Sequence, residues 1–211
     1  VYKSIRNVVS EELVEFCYNY LCTKRKTIKF FNELRHIPRK FTRHPDGSET
    51  EEDIGWGRWN DGQVPNTYSV YGDLVMETLL AKLHPRMEVE TELKLYPTYS
   101  YARLYKKGDI LERHKDRYSC EVSTTLNLGG DPWPIFLEPS GEEGKQGVSI
   151  LLEPGDMLIY DGPALEHWRE AFEGENCGQV FLHYNDASLN DSEKNKYDHR
   201  PFLGLPSTFR G

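Results

Sequence analysis

Tyr105-Lys106-Lys107-Gly108-Asp109-Ile110-Leu111-Glu112-Arg113-His114-Lys115-Asp116 is the stretch around which the chain is organised. Just upstream, Tyr99, Tyr101, Arg103 and Tyr105 alternate with Ser100, Ala102 and Leu104, the period of a β-strand. Gly108 turns the chain, and a second short strand follows over Leu111–His114. Residues i and i+2 of an extended segment point to the same face, so His114 and Asp116 can reach one metal together. A third ligand has to come from elsewhere.

The 211 residues suit one domain with a sizeable core. Hydrophobic residues make up 37% and charged residues 28%, which describes a globular but polar-leaning chain. The formal net charge of −8 argues against a nucleic-acid partner, because such proteins carry a basic face. No apolar run approaches the roughly eighteen residues of a membrane span, and no signal-peptide pattern opens the chain. The first residue is Val1 rather than Met, which leaves room for an upstream segment. Cys17, Cys22, Cys120 and Cys177 form no C-x-x-C pair, and Cys17 and Cys22 fall on different faces of one helix. They read as reduced thiols in a cytoplasmic protein.

Ser10 is placed as a helix N-cap, with Glu11 and Glu12 in the first turn and Leu13, Phe16, Cys17, Tyr20 and Leu21 at helical spacing. Lys24, Arg25 and Lys26 then suit the C-terminus of that helix. From about Arg35 to Tyr68, Pro38, Pro45, Gly47, Gly55, Gly57, Gly62 and Pro65 break any regular pattern around Trp56 and Trp59. This long loop is either a surface excursion or a substrate-facing lid. Helical spacing returns over Val70–Leu83 and is closed by Pro85.

From Glu88 onward strands dominate, beginning with the alternation of Val89, Thr91, Leu93 and Leu95. Short strands continue near residues 111–114, 121–128, 135–137, 148–152, 157–160, 165–169 and 179–184, separated by Gly- and Pro-containing turns. This pattern predicts an α+β, mainly β chain: a double-stranded β-helix, or jelly roll, buttressed by N-terminal helices. Residues 1–87 supply helical support and the long loop, 88–185 the jelly-roll core, and 186–211 a polar, then Pro/Phe-rich tail over the surface, all within a single domain.

The third ligand is found at His167, fifty-three positions past His114, a gap that suits several intervening jelly-roll strands. It is preceded by the turn Pro154-Gly155-Asp156, the apolar strand that ends at Tyr160, and Gly162-Pro163. Two His and one carboxylate on one face of a metal, with positions left open, is the arrangement of non-haem Fe(II) oxygenases. A zinc hydrolase has little support, since no H-E-x-x-H motif is present.

Taken in order, Tyr105-x-x-Gly108, His114-x-Asp116, Leu126-Asn127-x-Gly129-Gly130, Pro154-Gly155-Asp156 with Tyr160, and His167 form a set. That set resembles the 2-oxoglutarate/Fe(II)-dependent dioxygenases, and within them the prolyl 4-hydroxylase-like branch. The resemblance covers residues 88–185, roughly half the chain. It implies Fe(II) held by His114, Asp116 and His167, and 2-oxoglutarate contacted by Tyr105 and Thr125. It also implies O2 as co-substrate, with ascorbate as an accessory, and hydroxylation of prolyl residues in a peptide or protein. A free amino acid or other small molecule is the alternative substrate. A metal-binding jelly roll that oxygenates nothing is the alternative function.

One departure stands out. The family places a Lys or Arg roughly nine residues past the distal His to pair with the far carboxylate of 2-oxoglutarate, a buried anion that needs a charged partner. Here Glu173-Gly174-Glu175-Asn176-Cys177-Gly178 offers no basic residue. Arg169 is the first replacement, because at two residues past His167 it shares that ligand's face and carries a bidentate guanidinium. Arg103, on the face of Tyr105, is the second, and His183 is a further donor. Nothing in the sequence speaks to oligomeric state.

Overall fold

The computed structural model describes residues 2–35, 40–43, 47, 49–52 and 55–211. Strand β1 (Tyr2–Ile5) leads into helix α1 (Glu11–Glu33). Ser10 caps it as expected: its Oγ accepts from the Leu13 amide at 3.4 Å, while Glu11 and Glu12 face the positive end of the helix dipole. Val14, Cys17, Leu21 and Ile28 bury one stripe. The helix does not end at Lys24–Lys26. Lys24 instead reaches sideways to the Gly55 carbonyl at 2.9 Å and to the buried carboxylate of Asp73, and Arg25 donates to Asn176 Oδ1 at 3.0 Å. These cations fasten the middle of the helix to the body, and the helix runs on past them.

Strands β2 (Lys40–Arg43) and β3 (Glu49–Glu52) pair antiparallel within the predicted 35–68 loop, the remainder of which falls partly outside the described residues. Strand β4 (Tyr68–Tyr71) and helix α2 (Leu74–Thr91) follow. Both differ from the predicted helix over Val70–Leu83. Asp73 Oδ1 accepts from the Val75 and Met76 amides, so the helix begins only after it, and Val70 pairs with Ala102 in a sheet. An interior proline costs about 3 kcal/mol, yet α2 runs through Pro85. Leu79, Leu80, Leu83 and Met87 are all buried beneath it, and burial of each such side chain stabilises by about 1.5–3 kcal/mol. Val89 and Thr91, predicted in a strand, are therefore helical, and α2 crosses the expected 87/88 boundary. It stops at Glu92, whose φ of 60° is left-handed.

The rest of the chain is strand: β5 (Leu95–Lys106), β6 (Leu111–His114), β7 (Val122–Gly130), β8 (Ile135–Leu137), β9 (Val148–Ile150), β10 (Met157–Asp161), β11 (His167–Arg169) and β12 (Asn176–Asp186). Among the described residues they build the predicted jelly roll. A six-stranded sheet has the order β1-β10-β7-β12-β5-β4, a four-stranded sheet the order β6-β11-β8-β9, and neighbours run antiparallel. Helices α1 and α2 pack on the larger sheet, where Leu21, Met76, Leu80, Leu104, Leu126, Met157 and Leu182 join one core.

The sequence motifs become ties between strands. The Gly155 amide donates to the Asn127 carbonyl at 2.8 Å, Asn127 Nδ2 donates to the Leu152 carbonyl at 2.6 Å, and Asp156 Oδ1 accepts from the Asn7 amide at 3.0 Å. Gly130 has a φ of +96°, and a Cβ there would lie 2.1 Å from the Asn176 carbonyl oxygen, so β7 and β12 meet as closely as they do only with glycine.

The tail does more than cover the surface. Arg200 Nη2 pairs with Glu77 Oε1 at 2.7 Å, with both side chains at most 1% exposed. Burial pushes the Glu77 carboxyl up, and Arg200 opposes that shift. Asp198, also buried, accepts from both Nη atoms of Arg117 at 2.7 and 2.8 Å and from the Tyr71 hydroxyl at 2.6 Å. Arg200→Met, which strands Glu77 in the interior, is expected to cost about 3–5 kcal/mol in urea unfolding. The double change with Glu77→Leu should recover most of that loss.

Candidate active site

Strands β6 and β11 lie antiparallel with His114 directly opposite His167, and their rings sit 4.2 Å apart between centroids. Asp116 follows two residues after His114 and approaches both: its Oδ1 is 3.7 Å from His114 Nε2 and 3.6 Å from His167 Nε2. One ligand atom from each of the three falls within 4.8 Å of the others, a grouping able to hold a metal ion. The expected triad is thus brought together by the shorter sheet.

Each of the three side chains is also fixed from behind. His114 Nδ1–H donates to the Glu112 carbonyl at 2.7 Å and His167 Nδ1–H to the Leu165 carbonyl at 3.0 Å. Those bonds select the tautomer that presents the Nε2 lone pair inward. The Tyr160 ring packs on His167 at 4.7 Å. Burial, together with the neighbouring His167, lowers the basicity of His114, which favours the neutral ring that a metal requires. Asp116 Oδ2 accepts from Ser123 Oγ at 2.7 Å, and the same hydroxyl lies 3.0 Å from His183 Nδ1. Burial alone would raise the Asp116 carboxyl, but His167, His183 and Ser123 together hold it well below the usual carboxylate range.

Gly162 completes this support. Its carbonyl accepts from the Asp116 amide at 2.9 Å. A Cβ at this position would meet the Cys120 carbonyl oxygen at 2.4 Å, Asp116 Oδ2 at 2.7 Å and Ser123 Oγ at 2.8 Å. Asp116 also lies close to Cys120 and His183. That second grouping is poorer for a metal, because burial pushes the Cys120 thiol far up and it is the thiolate that ligates. His183, pushed down to about 4 by burial, is a neutral support for Ser123.

A cleft of about 350 Å³ opens over the triad, walled by Tyr99, Tyr101, Arg103, Arg117 and Phe181.

No family model matches the chain, and no curated protein matches it in sequence. Solved structures do match in three dimensions. A prolyl-4-hydroxylase from Pseudomonas putida superposes with a TM-score of 0.58 at 12% identity, covering 88% of this chain and 93% of that one. The non-haem alpha-ketoglutarate-dependent epimerase SnoN from nogalamycin biosynthesis gives 0.57 at 18% identity, covering 89% and 78%. HygX from Streptomyces hygroscopicus, solved with nickel and 2-oxoglutarate bound, gives 0.56 at 14% identity, covering 100% and 89%. The fold is that of the 2-oxoglutarate/Fe(II) oxygenases.

Within this oxygenase fold, the other residues singled out in the sequence divide into two groups. Arg169, Tyr105 and Thr125 are fully buried and are not among the residues that line the cleft. Arg169 Nη1 donates to the Trp133 carbonyl, its guanidinium lies 4.9 Å from the Trp133 ring, and its Nε has no hydrogen-bond partner. No carboxylate among the described residues pairs with it; Cys177, Tyr105 and Tyr160 are the polar groups that act on its charge, and burial lowers its basicity. The Tyr105 ring also meets Trp133, edge to face, at 4.8 Å. Thr125 Oγ1 donates to Gln179 Oε1 at 3.3 Å. Arg103 and His183 line the cleft itself. Arg103 is already neutralised: Nη2 pairs with Asp61 Oδ2 at 2.6 Å and also reaches Gln63 Oε1 at 2.6 Å.

Ser123, Gly162 and Asp61 were not flagged by the sequence. Only the Gly162-Pro163 turn immediately after β10 carries a signal, and it is legible as a turn without indicating what it packs against. Gly162→Ala is expected to weaken divalent-metal affinity at least tenfold, read by Co(II) absorption titration, with the circular dichroism of the fold unchanged.

Proposed function

We propose that the protein is an Fe(II)- and 2-oxoglutarate-dependent oxygenase that hydroxylates an unactivated C–H bond. The observation that carries this reading is the convergence of His114 Nε2, His167 Nε2 and Asp116 Oδ1, each pinned through its other polar atom, at the floor of a cleft. The set matches the facial arrangement of two His and one carboxylate that leaves open positions on iron. When bound, iron and 2-oxoglutarate supply O2 activation coupled to oxidation of the cosubstrate to succinate and CO2. The chain itself holds the ligands rigid, keeps both imidazole Nε2 atoms turned inward and excludes water around the cosubstrate.

Arg169 is the anchor for the far carboxylate in this reading. A buried guanidinium without a counter-ion is costly, and an incoming dianion supplies one. Arg103 is the weaker candidate because Asp61 already satisfies it. In this reading Tyr105, which like Arg169 packs against Trp133, adds a hydroxyl donor, and Thr125 joins when its hydroxyl leaves Gln179. A prolyl residue of a peptide or protein is the substrate supported by the sequence motifs and by the likeness to a prolyl-4-hydroxylase. A small molecule is the second reading, favoured by the polar, arginine-rich wall of the cleft.

Anaerobic addition of Fe(II) and then 2-oxoglutarate is expected to produce a weak visible metal-to-ligand charge-transfer band. The absence of that band in the unaltered protein would overturn the proposal. His114→Ala should remove it. Arg169→Met should leave metal binding intact and weaken 2-oxoglutarate about 10- to 100-fold, the worth of a charge-assisted pair.

A further inference from the structure

The chain carries a net charge of −8, yet the wall of its cleft is cationic. Arg58, Arg103, Lys115 and Arg117 line it, against Asp61 and the triad's own Asp116. Beyond Tyr99 and Tyr101 the cleft continues into a second hollow of about 280 Å³, lined by Arg58, Arg117, Arg210 and Ser207 with no acidic side chain among the described residues. Arg58 and Arg117 face both spaces.

The counter-charges do not balance. Arg103 is matched by Asp61. Arg117 and Arg210 share one carboxylate, Asp198. Arg58 has no carboxylate within ion-pair distance among the described residues, and its buried Nε has no hydrogen-bond partner. Three guanidinium groups thus stand over one acid around the second hollow, two of them at its junction with the cleft. They are also held in place. Arg58 exchanges backbone hydrogen bonds with Ser69 of β4 at 2.8 and 2.9 Å, and Arg117 lies 4.7 Å from the Tyr99 ring. Arg58, with no anionic partner, beside Arg117 and Arg210, which share one, makes a cationic receptor for planar or tetrahedral oxyanions.

Of the two substrate readings the cleft wall favours the second, and we propose that the cleft takes a small-molecule substrate bearing an anionic oxygen group, a carboxylate or a phosphate monoester, seated on Arg58 and Arg117 so that its carbon skeleton extends toward the triad. The role of that substrate rests on the oxygenase reading; the anion site itself does not. In the oxygenase reading the cosubstrate does not account for these cations, because its far carboxylate goes to Arg169, which lines neither hollow.

The test is calorimetric titration of the protein loaded with Ni(II) and 2-oxoglutarate, using matched pairs: N-acetyl-L-proline against its carboxamide, benzoate against benzamide, and phenyl phosphate against phenol. At least one anionic member should bind tenfold or more tightly than its neutral partner, and the carboxylate and phosphate arms identify which group is preferred. Arg58→Gln should erase that preference and Arg58→Lys restore part of it, with 2-oxoglutarate affinity unchanged in both. Equal binding within every pair, or a preference that survives Arg58→Gln, would overturn the proposal. If 2-oxoglutarate itself does not bind, the oxygenase reading fails separately, and the same titrations on the metal-free protein still decide the anion site.

Discussion

The antiparallel register that sets His114 opposite His167 is the constraint on which the rest of the site depends. A slip of one residue between β6 and β11 would turn one imidazole to the other face of the sheet and leave Asp116 with a single partner. The register is guarded on both sides. Leu137 of β8 pairs with His167 from the opposite edge, and the Asp116 amide is tied to Gly162 just beyond β10. The small sheet therefore positions the ligands, and the large sheet with its two helices supplies the rigid body against which it closes.

Charge burial around the tail and the cleft follows a rule that Arg169 breaks. Glu77 faces Arg200, Asp61 faces Arg103, and Asp198 faces Arg117 and Arg210, so most buried charge within the chain is compensated by the chain itself. Such pairs contribute little net stability relative to apolar replacements, but the loss of one partner is costly. They hold the tail and the cleft wall in fixed positions. Arg169 breaks the rule: it is fully buried, bonded to a carbonyl and bordered by phenols and a thiol. An uncompensated charge at that depth is an unfinished interaction, and the reading offered above completes it with a ligand.

The features legible in the sequence were those set by local pattern. Alternation marked β5 through its tyrosines, Ser10 marked a helix start, and the spacing of His114 and Asp116 marked one face. What escaped was set by contacts distant in sequence. The depth of burial under Leu83 and Met87, invisible to periodicity, carries α2 through Pro85. Gly162 reads as an ordinary turn residue until Asp116 and Ser123 are seen against it. The polar tail reads as a surface strap because its ion-pair partners, the buried Glu77 and the cleft-wall Arg117, lie far back in the chain. Arg169 was named for its face alone; that it lacks a carboxylate partner is a property of the packed interior.

The most direct measurement is a crystal structure of the protein with Fe(II) and 2-oxoglutarate grown without oxygen, the iron located by its anomalous scattering. The account predicts iron bound by His114 Nε2, His167 Nε2 and Asp116, with the far carboxylate of 2-oxoglutarate on Arg169. Iron held by Asp116, Cys120 and His183, or a cosubstrate carboxylate seated on Arg103 with Arg169 still unpaired, would contradict it.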